Sequence, residues 1–357
     1  MTYKGNFEFY CTFVEKLTNN IPITIPFNLT PAKVKALAIH KSLRFIHAGN
    51  WWTFKNPTKR SKEIILEKQM DLANENTIGF MSKNVQPGDK DLIDEEKRLF
   101  KVYNSQFKYD KFAYWMLNPS DLNEYYKKNI EYANWAKQNN RSNVPIYCSI
   151  QVIDYESAKK WFKKGLIEGH SHFCVGVSEF LKYPKFKRQG VEKLFEIALG
   201  IREAIGEKHQ LHFSGVASLY LIPILAHLGV SSFDGSTPIQ SALAYGTIFN
   251  DKGYSQRANA LKASPEKRKL FWNDEFSCEC ETCLGKDIGE IVNLFANNRE
   301  SRVVHNIHLW RKLIRDLNAN RRELEDFLMQ IRGRFDSNYF NGLLSIKDNI
   351  IEKFEKK

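Results

Sequence analysis

The chain lacks any apolar run long enough to cross a bilayer: its longest, Leu219 to Val230, falls short of the roughly 20 residues required and contains Pro223 and His227. The opening residues lack the n-region and h-region of a secretory signal, since Met1-Thr2-Tyr3-Lys4-Gly5 reaches Glu8 before any apolar core. A cytoplasmic protein without membrane attachment is expected. Neither Gly-rich phosphate loop of the nucleotide-binding folds occurs, and there are no internal repeats. With 11 Pro and 19 Gly in 357 residues the composition is not that of a low-complexity chain. Cysteine is sparse, six in all, and three of the six are clustered.

What is present is enough apolar matter for a sizeable core, 43% of residues with 13% aromatic. The length fits two to three average domains, or one α/β barrel with a small appendage. The 53 Lys and Arg against 41 Asp and Glu leave a net charge of +12, as expected of a protein that meets a polyanion, although a solvated basic surface gives the same balance. Basic residues also interleave with rings, in Lys159-Lys160-Trp161-Phe162-Lys163-Lys164 and in Lys182-Tyr183-Pro184-Lys185-Phe186-Lys187-Arg188. Cations that neutralise phosphates beside rings that stack on bases suit nucleic acid; at helical spacing the same rings suit a core. Lys185, Lys187 and Arg188, with Arg321 and Arg322 farther on, are the candidate phosphate contacts.

Short apolar runs at 43–47, 145–151, 172–177, 211–215 and 230–234 read as buried strands. Amphipathic stretches at 156–165, 191–205 and 219–228 lie between them. Strand alternating with helix predicts a parallel sheet, closed as a (β/α)8 TIM barrel, with an open doubly wound sheet as the alternative. In a barrel the reactive groups belong at the C-terminal strand ends, where Gln151, Gly176, Gly215 and Asp234 fall. From about Phe249 the character changes: a basic linker at 265–269 leads to a Cys cluster and then to long Arg-rich helical patterns. The expected division is a barrel over 1–275 and a zinc-binding, helix-rich subdomain over 276–357, packed on it.

The strongest local signal is Cys278-Glu279-Cys280-Glu281-Thr282-Cys283, followed by Val304-His305-Asn306-Ile307-His308. Three thiolates and one imidazole fill a tetrahedral Zn²⁺ shell, and a filled shell is structural rather than catalytic. His305 is the fourth donor of choice, with His308 on offer three residues later. Cys11, Cys148 and Cys174 read as buried packing thiols. In Ser232-Phe233-Asp234-Gly235-Ser236-Thr237-Pro238, a carboxylate ends a buried strand at a turn. That placement suits a nucleophile or electrostatic stabiliser, and equally a helix N-cap.

Taken together these motifs resemble the tRNA-guanine transglycosylase superfamily. The resemblance rests on Phe233-Asp234 with Pro238, on Gly246-Thr247-Ile248-Phe249, on Cys278, Cys280 and Cys283, and on His305-Asn306, in the family's order and approximate spacing. It implies a (β/α)8 barrel with a zinc subdomain and Asp234 as nucleophile. Less sharply, His212-Phe213-Ser214-Gly215-Val216 is similar to the strand before the nucleophile, Val175-Gly176-Val177 to a Gly-Gly loop, and Ile150-Gln151 to a base-contacting Gln. The resemblance spans residues from about 40 to 320 and is sharpest from about 145 to 310.

The departures bear on substrate. Where the family has Asp-Ser-Gly-Gly-aromatic, this chain reads His47-Ala48-Gly49-Asn50-Trp51: the acid is gone, while Trp51 keeps an aromatic plate for a base and Asn50 lies beside it. No acid appears near Tyr114-Trp115-Met116-Leu117, where the family reads the guanine edge, and the family's Pro-Thr-Arg with a further Arg reads here Pro238-Ile239-Gln240-Ser241-Ala242, without either arginine. A pocket without those acids loses guanine selectivity, at roughly 1–3 kcal/mol per unsatisfied buried group. The resulting expectation is a DNA N-glycosylase on a transglycosylase scaffold, excising a modified base to leave an abasic site, with a place in defence against phage DNA. His47 would protonate the leaving base or orient water, unless it is simply a packed histidine. Base exchange on tRNA or DNA, and a catalytically silent RNA-binding subunit, are the alternatives. DNA is favoured over tRNA as partner, and the chain is expected to be a monomer or homodimer.

Overall fold

Eight short parallel strands form a closed ring in the computed structural model, which describes residues 5–14, 21–26, 28–38, 41–48, 61–84, 119–182, 187–272, 278–335 and 338–356. In chain order they are β1 (Glu8–Thr12), β2 (Ile23–Pro26), β3 (Arg44–His47), β4 (Thr77–Met81), β5 (Ile146–Ser149), β6 (His172–Gly176), β7 (Gln210–Ser214) and β8 (Ser232–Gly235). Each pairs with the next, and β8 returns to β1 with Phe233 opposite Phe9 and Asp234 opposite Tyr10. This closure makes the fold the (β/α)8 barrel expected from the sequence and excludes the open sheet. The five anticipated runs are β3 and β5 to β8; β1, β2 and β4 complete the ring.

Between the strands lie α1 (Pro31–Ala38), α2 (Lys62–Asp71), α3 (Asn123–Asn139), α4 (Tyr155–Ile167), α5 (Ser178–Lys182), α6 (Lys187–Ile205) and α7 (Leu221–His227), and α8 (Thr237–Ala244) follows β8. Helix α4 shows how the local sequence sets an element. The side chain of Asp154 accepts from the Ser157 N–H at 2.8 Å and caps the first turn. Ala158, Trp161, Phe162 and Gly165 then recur at helical spacing on the buried face, while Lys160, Lys163 and Lys164 face solvent. Burying a ring such as Phe162 contributes about 1.5–3 kcal/mol. The two rings of this basic-aromatic stretch are therefore core and not open to stacking on bases, the second of the two readings that the sequence allows.

Beyond the barrel, β9 (Thr247–Phe249) and β10 (Ser255–Arg257) form an antiparallel ribbon. With α9 (Ala258–Ala263), α10 (Pro265–Trp272) and α11 (Ile288–Asn297) they enclose a second, small core around Ile248, Leu261, Phe271, Trp272, Ile291 and Phe295. The stretch read as a basic linker at 265–269 is the first part of α10. Pro265 opens that helix, where its missing N–H costs nothing, and Ser264 Oγ accepts from the Lys267 N–H at 3.2 Å. The last helices, α12 (Arg299–Ala319), α13 (Leu324–Phe335) and α14 (Asn338–Glu355), bury Val303, Trp310, Phe327, Phe340 and Ile350 in the barrel's own core. The small core thus draws on residues on both sides of position 276, and the final three helices belong to the barrel by packing.

Helix α12 runs along the flank of the barrel. Asn318, near its end, exchanges two hydrogen bonds with the backbone of Phe7, at 2.6 and 3.0 Å, and so pins the entry to β1. Cys11, Cys148 and Cys174 are all buried, as expected. Among the described residues no helix is long and apolar enough to cross a membrane.

Candidate active site and metal centre

Asp234 sits at the C-terminal end of β8, 5% exposed. Its Oδ1 accepts from the Gly215 N–H at 2.5 Å, and Ser214 Oγ lies 3.4 Å from Oδ2. The first contact depends on glycine: Gly215 has φ +90°, a left-handed conformation, and a Cβ there would stand 2.7 Å from that of Ser178. Burial pushes the Asp234 carboxyl above its ordinary value, opposed by the charge of His47, the Gly215 N–H and the hydroxyls of Ser214 and Thr24. His47, at the end of β3 and 8% exposed, is thus close enough to act on this carboxylate. Of the two readings of Asp234 made from sequence, the N-cap is not what forms. The first turn of α8 has Ser236 at its cap position, and the carboxylate turns to β7 instead.

Beneath Asp234 the barrel interior is lined with rings. His212 on β7 is fully buried, with ring centroids of Phe45 at 4.5 Å and Tyr10 at 5.9 Å. Its Nδ1 is 2.9 Å from Ser232 Oγ, and its Nε2 is 3.9 Å from Asp234 Oδ1. Burial pushes the imidazole down to about 3, so it is neutral at physiological pH. In the sequence His212 stands out only as part of a motif. Its inward position follows from register, which sets Cys174, His212 and Ser232 side by side on β6, β7 and β8.

Two further predicted residues meet at the barrel mouth. Gln151 Nε2 donates to the carbonyl of Gly176, and a Cβ on Gly176 would approach Gln151 Oε1 to 2.9 Å, so the amide fits only over a glycine. Gly176 is in turn paired in register with Ser214, which places this contact next to the Asp234 cluster. Asn50, Trp51 and Lys185 lie outside the described residues, as do positions 114–117. Lys187 and Arg188 are exposed in the first turn of α6, which follows the C-terminal end of β6 and so lies on the Asp234 side. Arg321 lies elsewhere: it donates to Asn6 Oδ1 at 2.9 Å, beside the entry to β1. Arg321 and its neighbour Arg322 therefore sit at the barrel end opposite Asp234, and the structure does not bring them to the other predicted residues.

The sulfurs of Cys278, Cys280 and Cys283 and Nδ1 of His305 form one cluster, all within 4.8 Å of one another. The three sulfurs lie 3.4, 3.7 and 3.5 Å from Nδ1. Thiolate and imidazole donors bound tetrahedrally to one ion stand about 3.6 Å apart, so these sulfur–nitrogen distances suit a cluster that could hold a metal. His305 Nε2 lies 2.8 Å from the carbonyl of Phe249. Donating its N–H there turns Nδ1 towards the sulfurs. Between the two histidines considered, His305 has this geometry; His308, one turn on and half-buried, is outside the cluster.

The Cys3His cluster and the Asp234 turn are joined by Asn306, fully buried. Its Nδ2 donates to the carbonyls of Pro238 at 3.0 Å and Thr247 at 3.1 Å, and its Oδ1 accepts from the Phe249 N–H at 3.1 Å. A scan of the chain against protein-family models and a search of curated proteins find no match.

Proposed function

We propose that the chain is a divergent member of the tRNA-guanine transglycosylase superfamily that cleaves N-glycosidic bonds in nucleic acid, DNA in preference to tRNA, and leaves an abasic site. The observation that carries this reading is the carboxylate of Asp234 at the C-terminal mouth of the barrel, one oxygen fixed by the Gly215 N–H, with His47 beside it. In the first step a carboxylate oxygen of Asp234 forms a bond to the anomeric carbon. The bond from that carbon to the base nitrogen breaks, and the base leaves with its electron pair and takes a proton from His47. In the second step water attacks the same carbon, its proton goes to His47, and Asp234 is released. Gln151, held over Gly176 at the same mouth, would meet the edge of the base in this reading. The acids with which the family holds an incoming guanine are missing from the sequence, which leaves water as the acceptor.

Lys187 and Arg188 would meet phosphates on this face. The metal is zinc in this reading, because three thiolates and one imidazole are a soft, tetrahedral donor set. Its role is to hold the small core together, and a cytoplasmic setting keeps the thiols reduced.

The test is to incubate the protein with DNA and tRNA bearing varied base modifications. Alkali-labile abasic sites formed without any added base are expected. Intact strands that take up labelled guanine would replace hydrolysis by base exchange, and binding without either product would favour a silent nucleic-acid-binding subunit.

A further inference from the structure

We propose that His212 is a positioning residue for Asp234: a neutral imidazole, set by Ser232 as its Nε2–H tautomer, whose N–H faces Oδ1 of the carboxylate and leaves Oδ2 as the attacking oxygen. The assignment of the attacking oxygen rests on the nucleophile reading above; the coupling between the two side chains does not.

The geometry allows two arrangements of the ring. If Nδ1 carried the proton it would donate to Ser232 Oγ at 2.9 Å, and the lone pair of Nε2 would face Asp234 Oδ1 at 3.9 Å across a fully buried gap. A lone pair close to a carboxylate in a buried site of low dielectric is repulsive. If the Ser232 hydroxyl instead donates to Nδ1, the proton sits on Nε2 and brings the positive end of its N–H dipole near Oδ1. At 3.9 Å this is a charge–dipole contact rather than a hydrogen bond, and among the described residues Nε2 has no hydrogen-bond partner. Ser232 is 4% exposed, and the ring is its side-chain partner.

The two carboxylate oxygens are unlike. Oδ1 receives the Gly215 N–H at 2.5 Å and lies 3.9 Å from His212 Nε2, whereas the contact of Oδ2 with Ser214 Oγ is longer, 3.4 Å. The oxygen with the looser hold is the one free to form a bond. Burial keeps the imidazole neutral, so the ring contributes a dipole and not a second charge. Around it stand Tyr10 from β1, Phe45 from β3 and Tyr147 from β5, with Cys174 of β6 beside it in register and His47 of β3 acting on the same carboxylate. Phenols and a buried thiol carry no charge near neutrality, so the charge on this carboxylate's surroundings comes from His47.

The experiment combines NMR of the whole protein with two substitutions. In the wild type, ¹⁵N shifts of the His212 ring should show the Nε2–H tautomer, unprotonated down to pH 5. His212→Phe fits among the surrounding rings and removes the dipole. The ¹³C titration midpoint of the Asp234 carboxyl should then move up by roughly one pH unit, and the acid limb of kcat/KM should move with it. His212→Gln, which restores an N–H donor, should return both towards the wild type. An Nδ1–H tautomer in the wild type, or an unmoved midpoint in folded His212→Phe, overturns the proposal. A moved midpoint in a chain that cleaves no glycosidic bond supports the coupling and overturns the nucleophile reading instead.

Discussion

Asn306 donates from Nδ2 to the carbonyl of Pro238 at 3.0 Å, and so ties the helix that carries the fourth metal donor to the turn leaving Asp234. The metal cluster lies outside the barrel, yet its neighbour in sequence fixes the backbone four residues beyond the carboxylate. Asn306→Ala removes three buried hydrogen bonds and leaves the Phe249 N–H and two carbonyls to be satisfied otherwise. A loss of about 2–4 kcal/mol is expected in chemical denaturation, with metal content unchanged. A loss below about 0.5 kcal/mol would mean that other interactions hold the turn.

Metal binding should be inseparable from the folding of the small core. Cys280 and Cys283 are themselves buried among Phe271, Trp272 and Phe295, so the ion and the apolar contacts form one unit. About one Zn²⁺ per chain is expected by elemental analysis, lost in Cys280→Ser and in His305→Ala but kept in His308→Ala. Folded protein without any metal would contradict this, and loss of the ion only in His308→Ala would move the fourth donor.

Stability should fall as the solution is made acidic between about pH 6.5 and pH 4. Burial pushes His170 down to about 4 and His212 to about 3 from an ordinary 6.5. In that window the unfolded chain takes up protons that the folded chain refuses. Acid therefore favours unfolding, by up to about 1.4 kcal/mol per pH unit for each imidazole. Above about pH 6.5 neither state binds the proton, and this contribution is flat. Denaturation series at pH 7 and pH 5 should show the loss, and His170→Gln should lessen the dependence by one imidazole's share. A flat profile would show that these rings are not buried as described.

The sequence disclosed the Cys3His cluster almost completely, because three of its four side chains lie within six residues. It disclosed β3 and β5 to β8 as short apolar runs. Strand β2 was hidden since Pro22 and Pro26 bracket it and proline reads as a strand breaker, although a barrel strand can end on one. Strand β1 carries Glu8 and Thr12 at its ends and offers no clear run. The role of His212 was invisible because inward direction is a property of register. The rings at 161–162 were ambiguous until the face of α4 was fixed by packing.

Nucleic-acid affinity should depend on salt, and the structure separates the candidate cations by face. Lys187 and Arg188 lie on the Asp234 side; Arg321, on Asn6, lies at the other end with Arg322. Replacing Lys187 and Arg188 by Ala should reduce the slope of log affinity against log salt by about 0.9 for each phosphate of duplex DNA that the protein no longer neutralises. Replacing Arg321 and Arg322 should leave that slope unchanged. The reverse pattern would place the strand on the opposite face and away from Asp234.

If Asp234 attacks the anomeric carbon, the fate of that side chain during turnover decides between the readings. Asp234→Asn keeps the volume of the side chain and its acceptor oxygen for the Gly215 N–H, so fold, metal and nucleic-acid affinity should stay close to those of the wild type. In acid-quenched reactions of the wild type, peptide mass spectrometry should find a sugar-linked adduct on Asp234, and abasic sites should accumulate. The Asp234→Asn protein should form neither. Undiminished abasic-site formation by Asp234→Asn, with no adduct on residue 234 of the wild type, would contradict the account.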